Sequence, residues 1–387
     1  MASTAEIITR CQELFEDLDF TCARQWKAAV AGRKVVGFMP VYVPRELIHA
    51  AGMLPLGILG GGDSLEVIHG DAYYQSYICR IPRSTVELGI TGRLDFVDGM
   101  LFPFVCDVIR NLSGLWKIMF PKVYSHFFDT PQNYSSDIGG AYYQRELEEL
   151  KNDFETLAGR KISDDDLRAS IAAYNENREA VQEVYSFRSL KPWQAPASEV
   201  YLLMRAGMIL PVEEHTLLMR DYLSAAAREN RPMLDKTRIV IEGSFCEQPP
   251  LNLIKSIEMA GCYVVDDDYM LVNRWFTGSV PTDGDPLANL ATAFIKHSVE
   301  TSCKYVDLEE QKGQFLVDKV RSRQAEGVIF AAASFCDPAL LDRPMLQHRL
   351  AQNSIPYIAF KYAENSGQMQ PIREQAGTFA DSIKLWS

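Results

Sequence analysis

Eight cysteines, at positions 11, 22, 79, 106, 246, 262, 303 and 336, are the chemically most versatile side chains of this 387-residue sequence. As thiolates they bind soft metals or act as nucleophiles. No two of them form a C-x-x-C pair, which argues against a zinc ribbon or a thioredoxin-type redox site. In a reducing compartment they are expected to stay free rather than build a disulfide framework. A metal site made from them must be assembled from residues far apart in sequence, so the fold must bring them together.

The elements that would do so can be read from periodicity. Apolar residues Ile7, Ile8, Leu14, Phe15, Leu18 and Phe20 recur about one turn apart, which predicts a helix over 5–30. Four apolar runs follow: VVGFMP (35–40), LPLGIL (54–59), FVDGMLFPF (96–104) and VYSHFF (123–128). Helical patterns separate them at 44–52, where Pro44 suits a first turn, at 71–90 and at 106–119. Strand alternating with helix implies a parallel sheet with helical crossovers. From 137 to 235 the strand-like runs vanish, and charged, periodic stretches predict helices, broken near KPWQAPASE (191–199). One of these opens with Ser163 as N-cap and Asp166 three residues on. From 237 the alternation returns, with TRIVIEGSF, GCYVVDDDYM, EGVIFAAASF and IPYIAFKY as strands. Helices are expected between and after them at 249–260, 287–301, 312–325 and 338–353.

The expected class is therefore α/β, with two parallel-sheet domains of Rossmann or flavodoxin-like type. The expected divisions are a helical N-terminal segment (1–30), a first α/β domain (31–136), a helical connecting region (137–236) and a second α/β domain (237–387).

In open parallel sheets, ligands bind beyond the carboxyl ends of the strands. Cys106, Cys246 and Cys336 each follow an expected strand, whereas Cys79 lies in the helix-rich QSYICRIPRS. Cys11, Cys22, Cys262 and Cys303 fall inside helices or strands and read as core or surface residues. A buried cysteine is commonly just a small hydrophobe, so spacing leaves open whether the strand-end thiols form a site. Glu46 could donate a proton or face a substrate, or could simply sit as a first-turn carboxylate stabilised by its helix dipole. His49 reads more simply as a packed or surface histidine. The glycine run GILGGGD (57–63) lacks the lysine and spacing of a phosphate-binding loop, so a tight turn is the simpler reading.

The formal net charge of −12 and pI near 5.1 argue against nucleic-acid binding and against docking on anionic lipid. No apolar run is long enough to span a membrane. The N-terminal residues show no signal-peptide pattern, so the cytoplasm is the expected compartment.

The segment VPRELIHAAGMLPLGILGG (43–61) resembles the P-x-E-L-I-x-A-A-G-x-x-P signature of the 2-hydroxyacyl-CoA dehydratase and benzoyl-CoA reductase family. SYICR (76–80), FPFVCD (102–107), RIVIEGS (238–244), EMAGCYVVDDDYMLVNRWF (258–276) and FCDPALLDRPML (335–346) follow in the order that the family shows. IPYIAF and an Arg-containing helix ending in Phe379 complete the pattern. Asp268 and Arg274 match the family's acid-to-arginine motif. The family often has a cysteine near Met270, absent here, and AFKYAE replaces the acids common after the last strand. The chain length and RNLSGLWK (110–117) look most like the smaller cluster subunits of the reductase branch.

The resemblance implies one [4Fe–4S] cluster held by three cysteines, Cys79, Cys106 and Cys336, with one iron left open. Cys246 is not at a family ligand position. Arg80, beside Cys79, could tune cluster charge, contact a CoA phosphate or simply pair at the surface. The first electron into a benzene ring destroys its aromaticity, and protein clusters reach down only to about −700 mV. The resemblance therefore implies an energy input, and the lack of a P-loop here places ATP on another subunit. The implied partners are a homologous cluster subunit, ATPase activator subunits carrying their own [4Fe–4S] cluster, ferredoxin as electron donor, and benzoyl-CoA as substrate. The implied reaction passes low-potential electrons to the ring to give a cyclic dienoyl-CoA. The alternatives are a subunit of an (R)-2-hydroxyacyl-CoA dehydratase, in which the electron is recycled, and a non-catalytic α/β scaffold.

Overall fold

Short runs rich in Val, Ile and aromatic residues, bounded by Gly and Pro, suit buried parallel strands. In the computed structural model, which describes residues 2–301, 312–363 and 369–386, they form two four-stranded, all-parallel sheets. The first sheet contains β1 (Val35–Phe38), β2 (Leu54–Gly57), β3 (Gly99–Pro103) and β4 (Tyr124–Phe128), in the order β2-β1-β3-β4. The second contains β5 (Thr237–Glu242), β6 (Cys262–Asp267), β7 (Gly327–Ala333) and β8 (Tyr357–Tyr362), in the order β6-β5-β7-β8. The two α/β units thus repeat one topology. Each sheet reverses its winding between its first and third strands, β1/β3 and β5/β7, and such a switch point opens a crevice at the carboxyl ends.

The helical stretch expected over 5–30 is made of two helices, α1 (Thr4–Glu16) and α2 (Thr21–Ala28). The break has a local cause. The Asp17 carboxylate accepts the Asp19 and Thr21 N–H groups at 3.0 and 2.6 Å, and Phe20 turns left-handed at φ 52°. Helix α3 (Arg45–Ala50) follows Pro44, and α4 (Arg80–Ile90) is shorter than the helix expected over 71–90. Pro82 has no N–H to donate to residue 78, so it is tolerated in a first turn but not in a continuing helix. Upstream, a 3-10 turn spans Gly70–Tyr73. There Glu87 Oε2 accepts the N–H groups of Ile68, His69 and Gly70 at 3.0, 2.6 and 2.7 Å.

Helix α5 (Asp107–Met119) crosses from β3 to β4. The region between the sheets is helical as expected: α6 (Ala141–Ala158), α7 (Asp164–Leu190), α8 (Ala197–Ala206) and α9 (Val212–Ala226). Ser163 caps α7 in a reciprocal box with Asp166. The rest of the chain supplies α10 (Leu251–Met259), α11 (Pro286–His297), α12 (Gln314–Ser322), α13 (Asp337–Gln352) and α14 (Met369–Trp386), of which α11 packs on α6 and α7. The last extends beyond the expected end at Phe379. Cys303 lies outside the described residues. No helix among those described is long and apolar enough to cross a membrane.

One contiguous apolar core runs through both units and the helices between them. Within it, His215 on α9 is fully buried. Asn177 donates to its Nδ1 at 3.0 Å, and its Nε2 lies 3.0 Å from the Leu203 carbonyl, so the proton belongs on Nε2. Burial pushes its pKa down to about 4. The unfolded value is roughly 6.5, so the unfolded chain takes up the proton first as pH falls. The neutral ring's contribution is fully present above about pH 6.5 and is lost as pH falls towards 4. We expect the urea midpoint to drop from pH 7 to pH 5, and to drop less in His215→Gln. Equal drops in the two proteins would rule out His215 as the source.

Candidate functional site

The carboxyl ends of the switch-point strands converge on one cavity of about 480 Å³. Residues just beyond all four strands line it: Pro40 after β1, Cys106 after β3, Cys246 after β5 and Cys336 after β7. Cys79 completes the ring of thiols from outside either sheet. The sequence reading placed Cys106, Cys246 and Cys336 at strand ends but could not place Cys79, and the fold puts all four on the same walls.

Three of the four share a further property. Cys79 is the N-cap of α4, Cys106 of α5 and Cys336 of α13, helices of 11, 13 and 16 residues. Three helix N-termini therefore present their partial positive ends to the cavity, and such ends stabilise thiolates. Cys246 differs, because it sits in the loop between β5 and α10 and caps no helix.

The thiols are not equivalent. Burial, followed by the Glu247 carboxylate and the Cys336 and Cys106 sulfurs, pushes the Cys79 thiol well up. Cys336 is held below the ordinary thiol value by a hydrogen bond from the Cys246 side chain, against burial, with help from the Ala339 and Glu247 N–H groups. A bound metal deprotonates a coordinating thiol outright, which would override the difference. Among the described residues, no group of three or more Cys, His, Asp or Glu is arranged to hold a single metal ion. The thiols instead surround a space larger than one ion. That space fits a multi-atom group better than a lone cation.

The walls are tied down from several directions. Asp268, at the end of β6, accepts the Gly243 N–H at 2.6 Å and the Ser244 N–H at 2.9 and 3.0 Å. Ser244 Oγ donates to the Ala331 carbonyl of β7 at 2.6 Å. The turn starts at Gly243 with φ +105°, where a side chain would be strained. These contacts fix the loop that carries Cys246 and Glu247. Glu247 in turn accepts the Arg80 backbone N–H at 3.2 Å, which joins the Cys79 helix to the second sheet. Phe335 adopts φ 68°, a strained left-handed conformation for an aromatic residue, immediately before Cys336. It and Leu341 are exposed and form an apolar rim.

The other candidates lie elsewhere. Glu46 is buried in α3 and pairs with Arg178 at 2.6 Å, and it does not line the cavity. His49 contacts Ser170 at 2.9 Å and Glu213 at 3.1 Å. The Arg80 guanidinium donates to the Leu65 carbonyl. Arg274 stacks on Tyr185 and pairs with Asp266, buttressing β6. The glycine run turns the chain after β2, with Gly60 at φ +72°.

Sequence reasoning missed Glu247 and Phe335. Both directly adjoin strand-end cysteines, and that adjacency was a usable signal.

Known proteins resemble this chain over nearly its whole length. The sequence model of the family described as 2-hydroxyglutaryl-CoA dehydratase, D-component, matches residues 40–383. The C-type chain of benzoyl-CoA reductase from Thauera aromatica is 67% identical over 385 residues, covering 100% of both chains. The (R)-2-hydroxyglutaryl-CoA dehydratase beta chain of Acidaminococcus fermentans is 28% identical over 363 residues, covering 92% of this chain and 94% of its own. The (R)-phenyllactyl-CoA dehydratase beta chain of Clostridium sporogenes is 26% identical over 353 residues, covering 91% and 92%.

Proposed function

We infer that this chain, which belongs to the 2-hydroxyglutaryl-CoA dehydratase D-component family, is the iron–sulfur subunit of an ATP-dependent benzoyl-CoA reductase. The observation that carries the reading is full-length identity of 67% to one chain of a benzoyl-CoA reductase. The convergence of Cys79, Cys106 and Cys336 on one cavity supports its iron–sulfur part. These three would hold the group as thiolates, since thiolate ligands suit iron–sulfur clusters. When bound, a [4Fe–4S] cluster would supply one-electron transfer at low potential.

The chain's own residues account for the rest. Helix N-termini at all three cysteines offset the negative charge that three thiolates bring. Burial of Cys79 and Cys336 keeps bulk water from their sulfurs. The apolar lining of Phe104, Val105, Ile109, Phe335 and Leu341 offers non-polar contact to whatever meets the cavity mouth.

The partners belong to the same proposal: a homologous cluster subunit, ATPase activator subunits with their own cluster, and ferredoxin as electron source. The complex would act in the cytoplasm. The test is an anoxic assay of the assembled complex with ATP and a low-potential reductant, offered benzoyl-CoA or an (R)-2-hydroxyacyl-CoA. We expect reductant to be consumed in proportion to benzoyl-CoA lost. Dehydration of the hydroxyacyl-CoA without net consumption would instead assign the dehydratase reaction. A colourless, iron-free chain after strictly anoxic purification would reduce it to a scaffold.

A further inference from the structure

We propose that the pocket between the glycine run 60–62 and the start of α10 binds a phosphate ester, with Arg205 and Lys255 as the cations for its phosphate. This site is independent of the cysteine assignment. It is a second cavity, of about 200 Å³, that shares only Glu247 with the first. The glycine run does more than reverse the chain. Its φ alternates in sign, +72° at Gly60, −103° at Gly61 and +53° at Gly62. Backbone of alternating hand turns successive N–H groups toward one point and makes a concavity that takes anions. None of these three N–H groups donates to another described residue. Gly60 and Gly61 are buried, and a buried N–H nearly always has a partner.

Two cations line the same pocket. Arg205, on α8, lies over the Phe15 and Tyr201 rings, 4.8 and 5.9 Å from their centroids. It donates one long bond, at 3.5 Å, to the Tyr201 hydroxyl. The rings steady the guanidinium without using its forked donors, which match a phosphate. Neither Arg205 nor Lys255, on α10, forms an ion pair among the described residues. The carboxylates of Glu16 and Glu247 also line the pocket, and each already accepts a hydrogen bond, from Gln12 Nε2 at 2.8 Å and from the Arg80 N–H at 3.2 Å. The N-terminus of α10, with Pro250 as N-cap, closes the pocket and favours negative charge there.

A separate observation asks for more than a phosphate ion. Gln248, in the pocket wall, is 6% exposed, and its Oε1 has no donor among the described residues. Its Nε2 faces the Phe245 and Cys246 carbonyls at 3.2 and 3.3 Å, so turning the amide over would set oxygen against oxygen. The oxygen is therefore a fixed, unsatisfied acceptor, and a buried acceptor of this kind calls for a partner. A ligand that supplies it carries an N–H or O–H. The glycine run, Arg205 and Lys255 ask for phosphate, and Gln248 asks for a donor on whatever the phosphate is attached to. A phosphate ester bearing hydroxyl or amide groups answers both. Binding is non-covalent, and no bond is made or broken.

The experiment titrates the anoxically purified full-length chain with CoA, AMP and inorganic phosphate in a calorimeter, for wild type, Arg205→Gln and Lys255→Gln. At least one ester is expected to bind wild type, and more tightly than inorganic phosphate. Arg205→Gln is expected to weaken that binding by about tenfold, the measure of one lost charge-assisted hydrogen bond, and Lys255→Gln by a smaller factor. Which ester binds identifies the source of the phosphate, the CoA carrier or a free nucleotide. No binding of either ester at millimolar concentration would overturn the proposal. So would equal affinity for inorganic phosphate, which would mark an ion site, or an ester affinity unchanged in both variants, which would put the ligand elsewhere. The unfolding midpoint without ligand checks that each variant folds. If Arg205→Gln does not fold, because Arg205 packs on two rings, Lys255→Gln decides, by weaker binding or by none, since Lys255 is exposed.

Discussion

Cys79→Ala, Cys106→Ala and Cys336→Ala are each expected to abolish the iron content of this chain and with it the activity of the assembled complex, whereas Cys246→Ala should retain iron. The contrast comes from geometry. All four sulfurs line one cavity, but only the first three stand at helix N-termini. A thiolate gains up to ~2 kcal/mol from such a position when partly buried, and Cys246 has no such support. Cys246 does touch Cys336 and holds its thiol down, so its loss should slow incorporation rather than prevent it. Removing a true ligand leaves an iron without its thiolate, and the surrounding apolar lining offers little to replace it. The measurement is iron and acid-labile sulfide per chain after anoxic purification, with EPR of the reduced protein. Full iron in all three variants would end the assignment. Loss of iron in Cys246→Ala to the same extent as in the others would make it a fourth ligand.

How much of this was legible beforehand depends on the range of the interactions involved. The central strands announced themselves because they are buried on both faces, so they are short, nearly unbroken apolar runs such as RIVIE or GVIFAAA, whereas the edge strands β4 and β8 are partly exposed. Strand ends then located Cys106, Cys246 and Cys336, since a parallel strand must be followed by a loop at its carboxyl edge. Cys79 belongs to no strand, and what holds it is long-range: the N–H of its neighbour Arg80 meets Glu247, 167 residues away. The stretch before it reads as helical by composition. Pro82 stops the helix from running upstream of residue 80, and the Glu87 carboxylate captures three backbone donors of the preceding loop. Neither effect shows in a periodicity count. Glu46 looked like an acid free for chemistry because its partner Arg178 is 132 residues away on α7. The convergence of two sheets on one cavity is a property of their mutual packing, and no local pattern encodes it.

Arg188→Met is expected to destabilise the protein by about 3–5 kcal/mol, the usual cost of leaving one member of a buried ion pair alone. Arg188 and Asp267 are both fully buried, and Arg188 Nη1 donates to Asp267 Oδ2 at 2.6 Å. The guanidinium also lies over the Tyr185 ring, 4.4 Å from its centroid. Without it, the Asp267 carboxylate would keep, among the described residues, the Tyr185 hydroxyl at 3.0 Å and the Tyr269 N–H at 2.9 Å. Removing both charges should be far milder, because replacing a buried pair with apolar residues is often neutral. Arg188→Met with Asp267→Leu is therefore expected to recover most of the loss. Urea unfolding of the wild type, Arg188→Met, Asp267→Leu and the double variant measures the coupling directly. A single-variant cost below about 1 kcal/mol, or a double variant as unstable as the single, would show that the pair does not hold this region. The consequence reaches the site through one residue. Asp268 follows Asp267 and holds the Gly243–Ser244 turn, so a loosened end of β6 frees the loop that carries Cys246 and Glu247. Iron retention in Arg188→Met should consequently fall at temperatures where the protein remains folded, although Arg188 does not line the cavity.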